Sequence, residues 1–291
     1  MSAPFATLAF ERRVSAPVET LWAAWTAPAA RVIWAPPAPS VTVDFLEADT
    51  RVGGREISLC KVEGQSDNRC EIGWLVLQPL AKSVNYEVIS CEGVDLSAAL
   101  VTAEFSGDGE ESRIAVTVQL SSLAENMESG YSQGFTAGLD NLVGVAERTM
   151  LIERIIKAPR AVVWGAWFNP ESLPKWWGPD GFSCRTDRID LRQGGEWVFD
   201  MIGPDGTVFP NHHRYGEVKA EDRISYELLW GENGPKHADA WVVFEDMGVA
   251  TKVTLCMVLS TSAEFHKARS FGAEELGLQT LGKLARFVGT A

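Results

Sequence analysis

The chain repeats itself once. Residues 10–28 align with residues 152–170 at a constant offset of 142, matching Ala16-Pro17 with Ala158-Pro159, Trp22 with Trp164, Trp25 with Trp167, and Pro28 with Pro170. The offset holds for Trp34 against Trp176, slips by one at Gly53-Gly54 against Gly194-Gly195, and returns for Leu139 and Leu142 against Leu281 and Leu284. A period this long signals duplication of a whole domain, since solenoid repeats run to about 20–50 residues. In a chain of 291 residues it divides the molecule into domains of 1–148 and 149–291.

Both copies show the same order of elements. A short strand (about 5–14 and 150–157) is broken by Ala-Pro. A helix follows, with apolar residues three and four apart: Val18, Leu21, Trp22 and Trp25, then Val162, Val163 and Trp167. Pro28 and Pro170 are expected to end that helix. In the second copy, six strands are predicted at 186–191, 196–202, 213–219, 224–230, 238–244 and 251–260, joined by Gly-, Pro- and Asp-rich turns. Short connections of this kind imply antiparallel pairing. A single amphipathic helix closes each copy, over about 129–148 and 263–288. The apolar face of the sheet can bury itself only against that helix, so a core or cavity lies between them. Glu147–Leu151 contains no Pro/Gly/Ser linker, and the expectation is an intrachain pseudo-dimer of the two copies.

Charge narrows the range of partners. The first 148 residues carry 20 acidic and 10 basic side chains, the remainder 19 and 16, for a net charge of −13. Such a surface repels phosphate backbones and anionic bilayers, so neither nucleic acid nor membrane is expected as a partner. The five cysteines are odd in number and lack a C-x-x-C pair, which fits a reducing cytoplasm. The first ten residues lack the basic and apolar blocks of a secretory leader.

At the residue level the second copy resembles the bacterial family named for the C-terminal domain of the heat-shock-protein-90 ATPase activator. The resemblance rests on Arg154, Trp164, Trp167, Asn169-Pro170, Trp176-Trp177-Gly178-Pro179 and Gly181-Phe182. It continues through Leu191-Arg192, Gly194-Gly195, Trp197, Phe199, the run Gly203 to Gly206, Pro210-Asn211, Phe244, Gly272 to Glu275, and Gln279 to Leu281. The first copy departs from it, with Trp34-Ala35-Pro36-Pro37 in place of the double Trp. The resemblance implies an α+β fold of two tandem helix-grip (START/SRPBCC-like) domains. Each would be a curved antiparallel sheet wrapped around a long C-terminal helix.

The second copy looks the richer in chemistry. It holds all four histidines and seven of the eleven tryptophans. Adjacent strand residues face opposite sides, so at most one of His212 and His213 can look inward; surface or edge positions are the general expectation, with His213 the cavity candidate. Glu196, Asp200, Glu217 and Glu227 alternate with apolar residues and should face out. Strand parity assigns a hydrophobic-ligand cavity lined by Trp197, Phe199, Met201, His213, Tyr215, Tyr226, Leu228, Trp230, Leu255 and Met257. The fold implied by the resemblance adds Trp176 and Trp177 as an aromatic rim. The expected ligand is a small apolar or aromatic molecule, with no metal, cofactor or catalytic residue assigned. The resemblance implies two alternatives beside it: a cavity enzyme of the cyclase or lyase type found among helix-grip relatives, for which the candidates are His213, Tyr215, Tyr226 and Glu217, and association with a chaperone, as the family's name implies. The first copy, with no histidine and no double Trp, is expected to be mainly structural.

Overall fold

The structure, a computed structural model, describes residues 5–289. The first four residues, part of the stretch from which the absence of a leader is inferred, lie outside this range. Two compact units meet in sequence at Glu147 and Arg148.

The first unit runs β1 (Phe5–Val14), α1 (Val18–Thr26), α2 (Pro28–Trp34), β2 (Val41–Ala48), β3 (Arg55–Val62), β4 (Asn68–Gln78), β5 (Lys82–Cys91), β6 (Val94–Asp108), β7 (Glu111–Ser122) and α3 (Met127–Ala146). Strands β2 to β7 form a meander, and β1 pairs with β7 at its far edge. Every ladder is antiparallel. The period-two pattern is clearest in β7, where Ile114, Val116, Val118 and Leu120 are buried and the residues between them face outward.

The second unit repeats this plan as β8 (Thr149–Ile156), α4 (Arg160–Trp167), α5 (Leu173–Trp176), β9 (Ser183–Ile189), β10 (Glu196–Ile202), β11 (Val208–Lys219), β12 (Arg223–Leu229), β13 (Lys236–Asp246), β14 (Thr251–Leu259), α6 (Ser262–Ser270) and α7 (Ala273–Gly289). Its sheet order is β8-β14-β13-β12-β11-β10-β9.

Two local expectations are corrected. Pro28 does not merely end α1: it stands at the first position of α2, where its missing N–H is no loss and its fixed φ suits the helix. The closing element of the second copy is two helices rather than one. Gly272, with φ near +79°, ends α6 in the left-handed conformation, and Glu274 and Glu275 sit in the first turn of α7.

Candidate ligand-binding site

Pairing registers place the inner faces of the two copies in correspondence. Glu56 pairs with Ile72, and Ile72 with Glu87; in the second copy Trp197 pairs with His213, and His213 with Leu228. The same ladders match Ser58 with Phe199, Cys60 with Met201, Trp74 with Tyr215, and Asn85 with Tyr226. At these positions the first copy carries smaller side chains at Ser58, Cys60 and Asn85 and carboxylates at Glu56 and Glu87, where the second has aromatic or apolar ones.

In the second copy the face is filled. Trp197 stacks on Phe199 with centroids 3.7 Å apart. His213 stacks on Tyr226 at 4.8 Å, and Tyr226 meets Tyr215 at 5.8 Å. Trp177 packs edge-on against Trp167, Trp176, Trp197 and His213. Leu228 and Leu255 are buried, and Met201 and Met257 pack against the same core. Parity therefore identifies the inward face, but the side chains on it occupy the expected cavity themselves. The expected rim is corrected too. Trp176 is fully buried, its indole N–H donating to the Ala166 carbonyl at 2.9 Å, and Trp177 turns inward. Trp230 lies outside this core: it is 52% exposed and stacks on His237.

The adjacent His212 and His213 are both buried, which corrects the surface or edge expectation, and His213, also named among the cavity residues, lies in the core. His212 faces the side of the sheet opposite His213 and bonds Glu196 Oε2 through Nε2 at 2.7 Å. His213 sits among aromatic rings, and burial lowers its pKa to about 3, so its imidazole is neutral near pH 7. Burial likewise raises the phenols of Tyr215 and Tyr226. Glu217 faces away from these three, held by Arg223 at 2.7 and 2.8 Å. Of the four groups considered for catalysis, His213, Tyr215 and Tyr226 meet in the core, and Glu217 does not join them. Among the described residues no cluster of three or more His, Cys, Asp or Glu side chains could hold a metal ion.

The first copy holds a space where its twin packs aromatic side chains. A cavity of about 430 Å³ lies between the sheet and α3. This cavity lies in the copy expected to be mainly structural, not in the second copy, the one expected to hold the pocket. Ala35 stands where the second copy has Trp177, and Ser58 where it has Phe199. Gly130, Gly134 and Gly138, one helical turn apart, present backbone from α3 to the cavity. Trp25, Trp34, Phe45, Ile72, Trp74 and Phe135 contribute apolar walls. The loop above is tied alike in both copies. Asn141 on α3 donates to the carbonyls of Trp34 and Pro36, while Lys283 on α7, its counterpart, donates to those of Trp177, Pro179 and Phe182.

One end of this cavity is polar. Arg31 forms a buried ion pair with Glu56, whose Oε1 also accepts from Thr50 Oγ1 at 2.6 Å and from the Trp74 indole at 2.9 Å. The guanidinium lies 5.4 to 5.9 Å from the ring centroids of Phe45, Trp74 and Trp34. Its Nε is buried without a partner. Glu87 also lines the cavity, with the Tyr131 hydroxyl and the Cys70 thiol as donors to its carboxyl group. Burial is the largest influence on this carboxyl and raises its pKa against the lowering effects of Tyr131, Arg31 and Cys70. No histidine marks this site, and its sequence signal is the replacement of bulky by small residues on the inward face.

The family described as activator of Hsp90 ATPase homolog 1-like protein matches the chain twice, over residues 15–147 and 157–289. The chain belongs to this family. It is a tandem two-domain member with the helix-grip fold in both copies, a fold suited to enclosing a ligand between sheet and helix. Among solved structures, it is similar to a protein from Arthrobacter aurescens (22% identity, TM-score 0.47, covering 50% of this chain and 89% of the other). It is also similar to one from Nitrosomonas europaea (27%, TM-score 0.45, 50% and 96%). A third likeness spans both copies: the di-domain ARO/CYC BexL from the BE-7585A biosynthetic pathway, at 16% identity and TM-score 0.39 over 97% of this chain and 98% of that one. No curated protein matches the chain. No helix among the described residues is long and apolar enough to cross a membrane.

Proposed function

We propose that this chain binds a small, mainly apolar or aromatic molecule in the cavity of its first domain. The observation that carries this reading is the contrast between the copies. One register places small and polar side chains around about 430 Å³ of space in the first and bulky, mostly aromatic side chains in contact with one another in the second. Unfilled space on an inward face forgoes packing contacts, so a hollow in one copy of a domain whose twin fills the same face argues for use of the hollow. The volume falls within the roughly 300–1,000 Å³ of small-molecule sites, and a few polar groups on apolar walls are the usual means of orienting a ligand.

Trp25, Trp34 and Trp74 line the cavity, so occupancy is expected to change intrinsic tryptophan fluorescence. Titration with a panel of small aromatic and aliphatic molecules tests this. A saturable change that is absent in Ala35→Trp supports the reading. Silence across the panel, with calorimetry also flat, removes it.

A further inference from the structure

The polar end of the first-domain cavity restricts the charge of what can enter. Two charged groups are already matched there. Arg31 is neutralised by Glu56, and Glu56 is further held by Thr50 and Trp74. An anion would have to draw Arg31 away from that partner and would then face two carboxyls, Glu56 and Glu87. A cation would find three of the aromatic faces, those of Trp34, Phe45 and Trp74, already taken by the guanidinium of Arg31. Desolvating an unpaired charge costs several kcal/mol, which the apolar walls cannot offset.

What remains open is hydrogen bonding. Glu87, Tyr131 and Cys70 meet at the cavity surface, with Tyr131 Oη also 3.3 Å from Ser97 Oγ. On the reading that the cavity binds a ligand, we propose that it selects uncharged, mainly aromatic molecules carrying one hydroxyl or carbonyl oxygen, which is received at Glu87 and Tyr131. Separately, burial favours the protonated carboxyl of Glu87, a form that can both donate to and accept from such an oxygen.

The test compares four probes of one shape on the full chain at neutral pH by isothermal titration calorimetry: naphthalene, 2-naphthol, 2-naphthoate and protonated naphthylmethylamine. 2-Naphthol is expected to bind about fivefold more tightly than naphthalene, the equivalent of one net hydrogen bond, and both charged probes more weakly than naphthalene. Glu87→Leu is expected to erase the naphthol advantage while leaving naphthalene binding in place, whereas Glu87→Gln, which still donates and accepts, retains most of it. Charged probes binding as well as 2-naphthol, or an advantage that survives Glu87→Leu, would overturn the selectivity while leaving the cavity reading intact. Failure of all four probes to bind would remove both. If Glu87→Leu does not fold, the ranking on the unmodified chain still decides.

Discussion

Ala35 and Trp177 hold the same place in the two copies, each directly after a tryptophan whose indole N–H bonds the carbonyl ten residues earlier: Trp34 to Ala24 at 2.8 Å and Trp176 to Ala166 at 2.9 Å. Trp177 fills the volume beneath it with four ring contacts. Ala35 leaves that volume to the cavity.

Exchanging the two side chains should therefore exchange the properties of the copies. Ala35→Trp is expected to abolish the fluorescence response to ligand while the far-ultraviolet circular dichroism stays native. Trp177→Ala is expected to destabilise the second domain by about 3 kcal/mol, as for other truncations of packed aromatics, seen as a lower midpoint in chemical denaturation. A ligand response that persists in Ala35→Trp would place the site elsewhere.

The Arg31–Glu56 pair gives a second prediction. The Glu56 side chain is 1% exposed and that of Arg31 10%. Removing one partner strands the other in low dielectric, so Glu56→Leu should cost about 3 kcal/mol of first-domain stability. The double variant Arg31→Met with Glu56→Leu should recover most of that loss, since neither charge then remains to be compensated. Equal losses in the single and double variants would show that the pair is not coupled in this way.

His213 supplies a pH dependence. Its folded pKa, lowered to about 3, lies below the ordinary 6.5. The unfolded chain therefore takes up the proton first as pH falls. The stabilising contribution is complete above pH 6.5 and declines from there toward pH 3, by up to about 1.4 kcal/mol per pH unit. Tyr226, Trp177, Trp197 and Phe199 surround the ring, and His212 and His237 are the titratable groups that act on it. His213→Phe should flatten the slope of stability between pH 6.5 and 5 relative to the unmodified chain. An unchanged slope would mean that the proton reaches His213 without unfolding.

Much of the architecture is legible in the residues. The Trp, Pro and Leu pairs at one offset reveal the duplication, and alternation along the strands identifies the inward face at Trp197, Phe199, His213 and Tyr226. Periodicity cannot say whether inward side chains line a space or occupy it, because that depends on summed volume across strands distant in sequence. The missing double Trp of the first copy suggests a lost site, yet Ala35 is what leaves room for one. Nor does the sequence pattern pair Arg31 with Glu56, 25 positions apart, since helix and strand are brought together only by the closed fold. The break at Gly272 is written more locally: a glycine followed by Ala-Glu-Glu carries both a helix end and a helix start.

The glycines of α3 have a consequence for motion. Added Cβ atoms at Gly130, Gly134 and Gly144 would meet nothing within 4 Å, and each interior glycine weakens a helix by about 1 kcal/mol relative to alanine. The helix above the cavity is thus held less by its own propensity than by what it rests on. In the empty protein its amide protons should exchange with solvent readily. A molecule seated beneath it should slow that exchange along residues 127–146, so the backbone of α3 would register occupancy without a label or a chromophore.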